Sequence, residues 1–138
     1  MRLVADANVL LSAVLGGRAK LVLGHPDITE VLTAGETLGE VQEYAGSLAR
    51  KKRLAEDLVL LAVAALPVTV VEREAYVASI SEASRRVGKR DPKDVEILAL
   101  AIALRVPLWS NDKDFEGTGV EWYSTEDLLR RLGIIERH

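Results

Sequence analysis

The chain has 138 residues, a formal net charge of −3 and no cysteine, which fits one domain and excludes disulfides and thiolate metal sites. Apolar residues make up 49% and charged residues 28%, an ordinary globular balance that argues against disorder, collagen or low complexity. The longest apolar run, Leu58 to Leu66, stops at Pro67, far short of the roughly 18 residues of a membrane span. Asp6 and Asn8 interrupt the apolar start too early for a signal peptide, so the expectation is a cytoplasmic single domain over residues 1–138.

In chain order, Leu3–Ala5 reads as a short buried strand, and Val9–Leu23 as helix interrupted at Gly16-Gly17. Thr29–Thr33 reads as a second strand. Leu38–Leu66 has helical character, as two helices broken near Arg50–Arg53. Val68–Val71 is an unbroken β-branched run after a proline, the clearest strand signal. Arg73–Val87 reads as helix ended by Gly88, Pro92–Leu104 as another helix, and Val106–Trp109 as a fourth strand. Glu121–Tyr123 makes a fifth, followed by a last helix from Thr125 to Leu132 that Gly133 closes. Strands separated by helices predict an α/β fold, with a parallel sheet covered on both faces.

Ligands of an open parallel sheet sit beyond the carboxyl ends of its strands. Asp6 follows the first strand, and Ser110-Asn111-Asp112-Lys113-Asp114 follows the fourth. Glu40 and Asp94 begin helices that follow strand ends, so Asp6, Glu40, Asp94 and Asp112 are expected at one sheet edge. Clustered carboxylates raise one another's pKa, and a divalent cation removes that cost. Oxygen-only ligands suit Mg²⁺ or Mn²⁺, which lower the pKa of a bound water and stabilise a leaving oxygen. That chemistry needs no histidine, and the chain holds only His25 and His138.

Each acid also has a purely structural reading. Thr37-x-x-Glu40 has the form of a capping box, and Asp91-Pro92 that of an N-cap followed by proline at N1. Asp6 suits a cap of the first helix, and Asn111-Asp112 a chain turn. Competing motifs fail: Gly88-Lys89 lacks the upstream glycine and the hydroxyl residue of a P-loop, and Gly117-Thr118-Gly119 meets Trp122 where a dinucleotide fingerprint needs glycine. No serine stands in a nucleophile elbow.

Three stretches carry a family likeness: Asp6-Ala7-Asn8-Val9-Leu10-Leu11-Ser12-Ala13, Asp94-Val95-Glu96-Ile97-Leu98-Ala99-Leu100-Ala101, and Val106-Pro107-Leu108-Trp109-Ser110-Asn111-Asp112-Lys113-Asp114-Phe115. Together they resemble PIN-domain ribonucleases, in order and over essentially the whole chain. The resemblance implies a three-layer α/β/α fold with a five-stranded parallel sheet, and a Mg²⁺- or Mn²⁺-dependent endoribonuclease acting on single-stranded or loop RNA. Asp6, Glu40, Asp94 and Asp112 match the family's acidic residues, Asn8 and Ser110 its supporting positions, and Asp114 a further ligand or water-positioner. Glu43 competes with Glu40 as the helix acid, and Asp91 with Asp94. Small stand-alone members, VapC-type proteins among them, are often toxins of toxin–antitoxin pairs and often homodimers.

RNA phosphates need cations near an acidic pocket. Lys113 and Arg90 are the nearest candidates, with Arg50-Lys51-Lys52-Arg53 and Arg85-Arg86 as further clusters that equally suit solvated helix ends. Trp109 is expected in the core. Leu54–Leu66, apolar on several faces, is expected either in deep core or at a dimer or antitoxin interface. The rival expectation is a non-catalytic protein-binding module of the same fold, with the acids serving as caps.

Overall fold

The computed structural model describes residues 1–88 and 92–136. Five strands, β1 (Arg2–Ala5), β2 (Glu30–Ala34), β3 (Thr69–Val71), β4 (Leu108–Trp109) and β5 (Trp122–Tyr123), form one sheet in the order β3-β2-β1-β4-β5. Every neighbouring pair is parallel. Helices α1 (Ala7–Val14), α2 (Ala19–Leu23), α3 (Gly35–Lys51), α4 (Glu56–Ala64) and α7 (Thr125–Arg131) cover one face. Helices α5 (Ile80–Val87) and α6 (Pro92–Leu104) cover the other.

Strand periodicity separates the two cores. Leu3, Ala5, Val31 and Trp109 point to the α1–α4 and α7 side, while Val4, Leu32 and Leu108 point to the α5–α6 side. On α3 the buried residues Thr37, Val41, Ala45 and Ala49 recur every four positions, a helical stripe that packs against the first core. Helix α6 is buried continuously from Glu96 to Ala101, because β1, β2 and α5 all pack against it. Trp109 is fully buried, as its apolar strand predicts. No helix among the described residues is long and apolar enough to cross a membrane.

Four expectations require correction. Residues 73–87 do not form one helix: two 3₁₀ turns, Arg73–Ala75 and Val77–Ser79, precede α5. The break lies at Tyr76, whose φ of −131° turns its ring into the core. There its hydroxyl donates to Glu96 Oε1 at 3.1 Å, which also accepts from Arg73 Nε at 3.1 Å. Thr37 is no N-cap, because α3 starts at Gly35 after Ala34 and carries Thr37 into the buried stripe. The β-branched run 68–71 gives only three strand residues, and on the sheet edge Thr69 and Val70 are exposed. Finally, α4 is not deep core: it buries only Val63, and leaves Leu58 and Leu61 66% and 64% exposed.

The Glu96 cluster ties the 3₁₀ turns to the helix that carries Asp94, and it makes alkaline stability sensitive to Tyr76. Burial, followed by the hydrogen bond and charge of Glu96, pushes the Tyr76 hydroxyl from 10.0 up to about 12. A raised folded-state pKa means the contribution is complete below pH 10 and is lost as pH rises through about 12. Urea denaturation should therefore show stability falling between pH 10 and 12. Tyr76→Phe should flatten that fall while costing about 1 kcal/mol at neutral pH; an equally steep fall in the variant would assign it to other groups.

Candidate acidic site at the sheet edge

The strand order reverses between β1 and β4, where the chain stops building outward through β2 and β3 and crosses to the other side. Crevices at such reversals, beyond the carboxyl ends of the strands, are where parallel sheets bind ligands. Asp6 and Ser110 leave β1 and β4 at this point.

Asp6 is 9% exposed. Its Oδ1 accepts from the Ala7 amide at 2.8 Å, capping α1. Its Oδ2 accepts from the Ser110 hydroxyl at 2.7 Å and from Asn8 Nδ2 at 3.2 Å. Ser110 Oγ in turn accepts from Asn8 Nδ2 at 3.2 Å and from the Asp112 amide at 3.1 Å. A hydroxyl has one hydrogen and two lone pairs, so the Ser110 side chain is saturated. Asn8 Oδ1 accepts from the Asn111 amide at 3.1 Å. Asp112 Oδ1 accepts from the Asp114 amide at 2.9 Å and caps the 3₁₀ turn Lys113–Phe115.

Glu40 and Asp94 arrive from opposite layers. Glu40 lies in the second turn of α3 with its side chain 18% exposed, whereas Glu36 and Glu43 are exposed. Asp94 lies in the first turn of α6 and is half-buried, where the helix dipole favours a negative charge. The two layers meet through Lys93, whose Nζ stands 4.0 Å from Glu40 Oε1 and 5.9 Å from the centroid of the Tyr44 ring. A cleft of about 150 Å³ lined by Asn8, Glu40 and Tyr44 links this pair to the Asp6 network.

Asp6, Asn8, Ser110 and Asp112 are thus hydrogen-bonded into one unit, with Glu40 and the first turn of α6 beside it. Among the described residues, however, no three Asp, Glu or His side chains draw close enough to hold an ion between them. The donor set is nonetheless oxygen-only, with Asp6 oriented by a hydroxyl and an amide as supported metal ligands are. It fits Mg²⁺ or Mn²⁺, which keep several waters and take few protein carboxylates directly.

Lys113 and Asp114 are exposed in the 3₁₀ turn. Arg90 and the competing Asp91 lie outside the described residues. Arg85 and Arg86 both pair with Glu82, and Arg86 also donates to the Thr118 carbonyl at 3.1 Å; these contacts give that cluster a structural task.

Two contributors have only faint sequence signals. Lys93 reads as one charge within an Asp-Pro-Lys-Asp helix start, and nothing local pairs it with Glu40. Asn111 reads as a turn residue, yet its Oδ1 accepts from the first amide of α7, Thr125 N, at 2.8 Å, joining the acidic loop to the last helix.

The sequence profile of the PIN domain matches residues 4–133, nearly the whole chain. The chain belongs to the PIN domain family. PIN domains are, as a family, hydrolytic nucleases. Solved structures share the fold at low identity. A Pyrobaculum aerophilum protein aligns with a TM-score of 0.74 at 16% identity, covering 98% of this chain and 97% of its own. A toxin–antitoxin complex from Klebsiella pneumoniae includes a chain with a TM-score of 0.63 at 20% identity, covering 88% and 96%. A VapBC complex from Rickettsia felis, bound to a DNA fragment of its promoter, includes one with 0.59 at 16%, covering 90% and 98%. Among curated protein sequences none matches this PIN domain significantly.

The saturated hydroxyl gives a direct test of the network. Ser110→Ala removes the donor to Asp6 and the acceptor for both Asn8 and the Asp112 amide. It should cost about 1–3 kcal/mol in urea denaturation. Asn8→Ala, at an exposed position, should cost less; the reverse order would show that Asn8 organises the site.

Proposed function

We propose that this PIN domain is a Mg²⁺- or Mn²⁺-dependent endoribonuclease that hydrolyses phosphodiester bonds in single-stranded or loop RNA. The observation that carries the reading is Asp6, a nearly buried carboxylate at the point of strand-order reversal, held by Asn8 of α1 and by Ser110 just after β4. The three hydrogen bonds that answer its charge also fix its orientation at the crevice.

In this reading Asp6, Asp94, Asp112 and Glu40 hold the cation directly or through water, with Asp114 as a further ligand or water-positioner. When bound, the cation supplies a water acidic enough to attack at neutral pH and a positive charge for the leaving oxygen. Asn8 and Ser110 keep the Asp6 carboxylate in place. Lys113 and Arg90 neutralise substrate phosphates on either side.

A partner surface lies elsewhere on the fold. Leu54, Leu58 and Leu61 are exposed on and just before α4, and exposed apolar groups of this kind mark interaction sites. With toxin–antitoxin assemblies among the structures that share the fold, this face supports an antitoxin partner or a homodimer. The rival reading, a non-catalytic protein-binding module, draws on the same face and treats Asp6 and Asp112 as the caps they also are.

The deciding experiment incubates labelled structured and unstructured RNAs with Mn²⁺, with EDTA, and with Asp6→Asn and Asp94→Asn. Mn²⁺-dependent cleavage that EDTA and both variants abolish, with far-UV circular dichroism unchanged, is the expected outcome. Activity retained in both variants would remove the site. Mn²⁺ should also raise the melting temperature, since a ligand at a hundred times its Kd adds about 2.7 kcal/mol; no shift, with no cleavage, would favour the binding module. For the partner face, Leu58→Asp with Leu61→Asp should abolish self-association in sedimentation if the homodimer forms there, and leave the fold intact.

A further inference from the structure

Single exposed aromatic residues are ordinary on protein surfaces, but Tyr44 is placed differently. It is 51% exposed and follows Glu40 by one helical turn on α3, so the two side chains share a face. Its ring forms one wall of the 150 Å³ cleft, with Ala7, Leu11 and Val41 as the apolar remainder. The polar groups on that cleft are the amide of Asn8, which also holds Asp6, and the carboxylate of Glu40. Lys93 places an ammonium 5.9 Å from the ring centroid. A narrow, largely apolar slot lined by an aromatic side chain and a carboxylate acceptor, with a cation near the ring, matches a nucleobase attached to its phosphate.

We propose that the Tyr44 cleft is a base subsite: it takes one unstacked base of a single-stranded RNA, stacked on the Tyr44 ring, with the base's amino groups donating to Glu40. The inference rests on the ribonuclease reading and adds to it the side chain on which an unpaired base stacks. A base held in a duplex cannot leave its own stack without breaking its pair, whereas single-strand binders gain affinity by stacking bases on aromatic rings. The amide and carboxylate at the slot are also components of the acidic network, so a base seated there lays its own phosphate beside Asp6. Lys93, already near the ring, meets that phosphate when a cation takes over the neutralisation of Glu40.

The test is fluorescence anisotropy of a short labelled single-stranded RNA of mixed sequence, in Ca²⁺. It compares wild type, Tyr44→Ala and Tyr44→Phe, each with the intact strand and with a strand of the same length carrying abasic riboses. Stacking of one base is worth about tenfold or more in affinity. Tyr44→Ala should weaken binding of the intact strand by about that factor and Tyr44→Phe should match wild type. The abasic strand should bind wild type and Tyr44→Ala alike. Equal binding of the intact strand by wild type and Tyr44→Ala overturns the subsite and leaves the nuclease to be judged by its cleavage assay. If Tyr44→Ala leaves RNA affinity unchanged but disrupts self-association, the cleft is a protein contact and the subsite is likewise overturned. Failure of the wild type to bind either strand overturns both the subsite and the ribonuclease reading.

Discussion

One hydroxyl holds the two halves of this fold in register at the place where they meet. Ser110 leaves β4 and gives its proton to the carboxylate that leaves β1, 104 residues earlier in the chain. It also accepts from Asn8 on α1 and from the amide of Asp112. Ser110 is fully buried, so none of these bonds competes directly with bulk water. The residues around it are locked in turn: Trp109 donates to Thr125 Oγ1 and Trp122 to the Ser110 carbonyl, both at 3.0 Å. Asn111 then fastens the start of α7 to the same loop. The acidic edge is therefore as rigid as the sheet that carries it, which is the support a site needs if its carboxylates are to be aimed.

Two helices from opposite layers cannot touch through the sheet, so they can meet only above its edge. Helix α3 starts at the carboxyl end of β2, and α6 runs back from that edge toward the start of β4. Their beginnings are the segments that come together, and acids in early turns are favoured there by the helix dipole. That geometry gives Glu40 and Asp94 their places without either needing a neighbour in sequence. At that meeting Lys93 Nζ stands 4.0 Å from Glu40 Oε1, so a cation of α6 offsets part of the charge of α3.

The elements legible in the sequence are those whose signal is local. β1, β4 and α6 are apolar runs bounded by Asp, Pro or Arg, and each lies within two residues of its expected limits. The acids Asp6 and Asp112 were visible because strand ends are visible. The misread elements depend on contacts between distant residues. Tyr76 leaves helical geometry because Glu96, 20 residues on, needs a donor, and neither residue announces the other. Thr37 resembles a cap until α3 begins two residues earlier, directly from β2. The run at 68–71 does form a strand, one residue shorter than its β-branched stretch and on the sheet edge, because β-branching reports strand and not position in the sheet. Tyr44 carries no sequence signal at all, since its setting is made by Asn8 of α1 and Lys93 of α6.

The structural and functional readings of the acids are not true alternatives. A carboxylate has two oxygens and about four lone-pair sites, and capping uses one. Asp6 Oδ1 closes α1 while Oδ2 meets Ser110 and Asn8; Asp112 caps its 3₁₀ turn through Oδ1. Each cap freezes the side-chain rotamer, and so removes entropy that a ligand would otherwise have to remove on binding. Capping is thus a means of preorganisation: the same hydrogen bond that stabilises the start of α1 also holds the second Asp6 oxygen where Ser110 and Asn8 donate to it. An exposed aspartate would cap a helix equally well; the burial of Asp6 goes with its bonds to Ser110 and Asn8, which tie the end of β4 and the start of α1 to the end of β1.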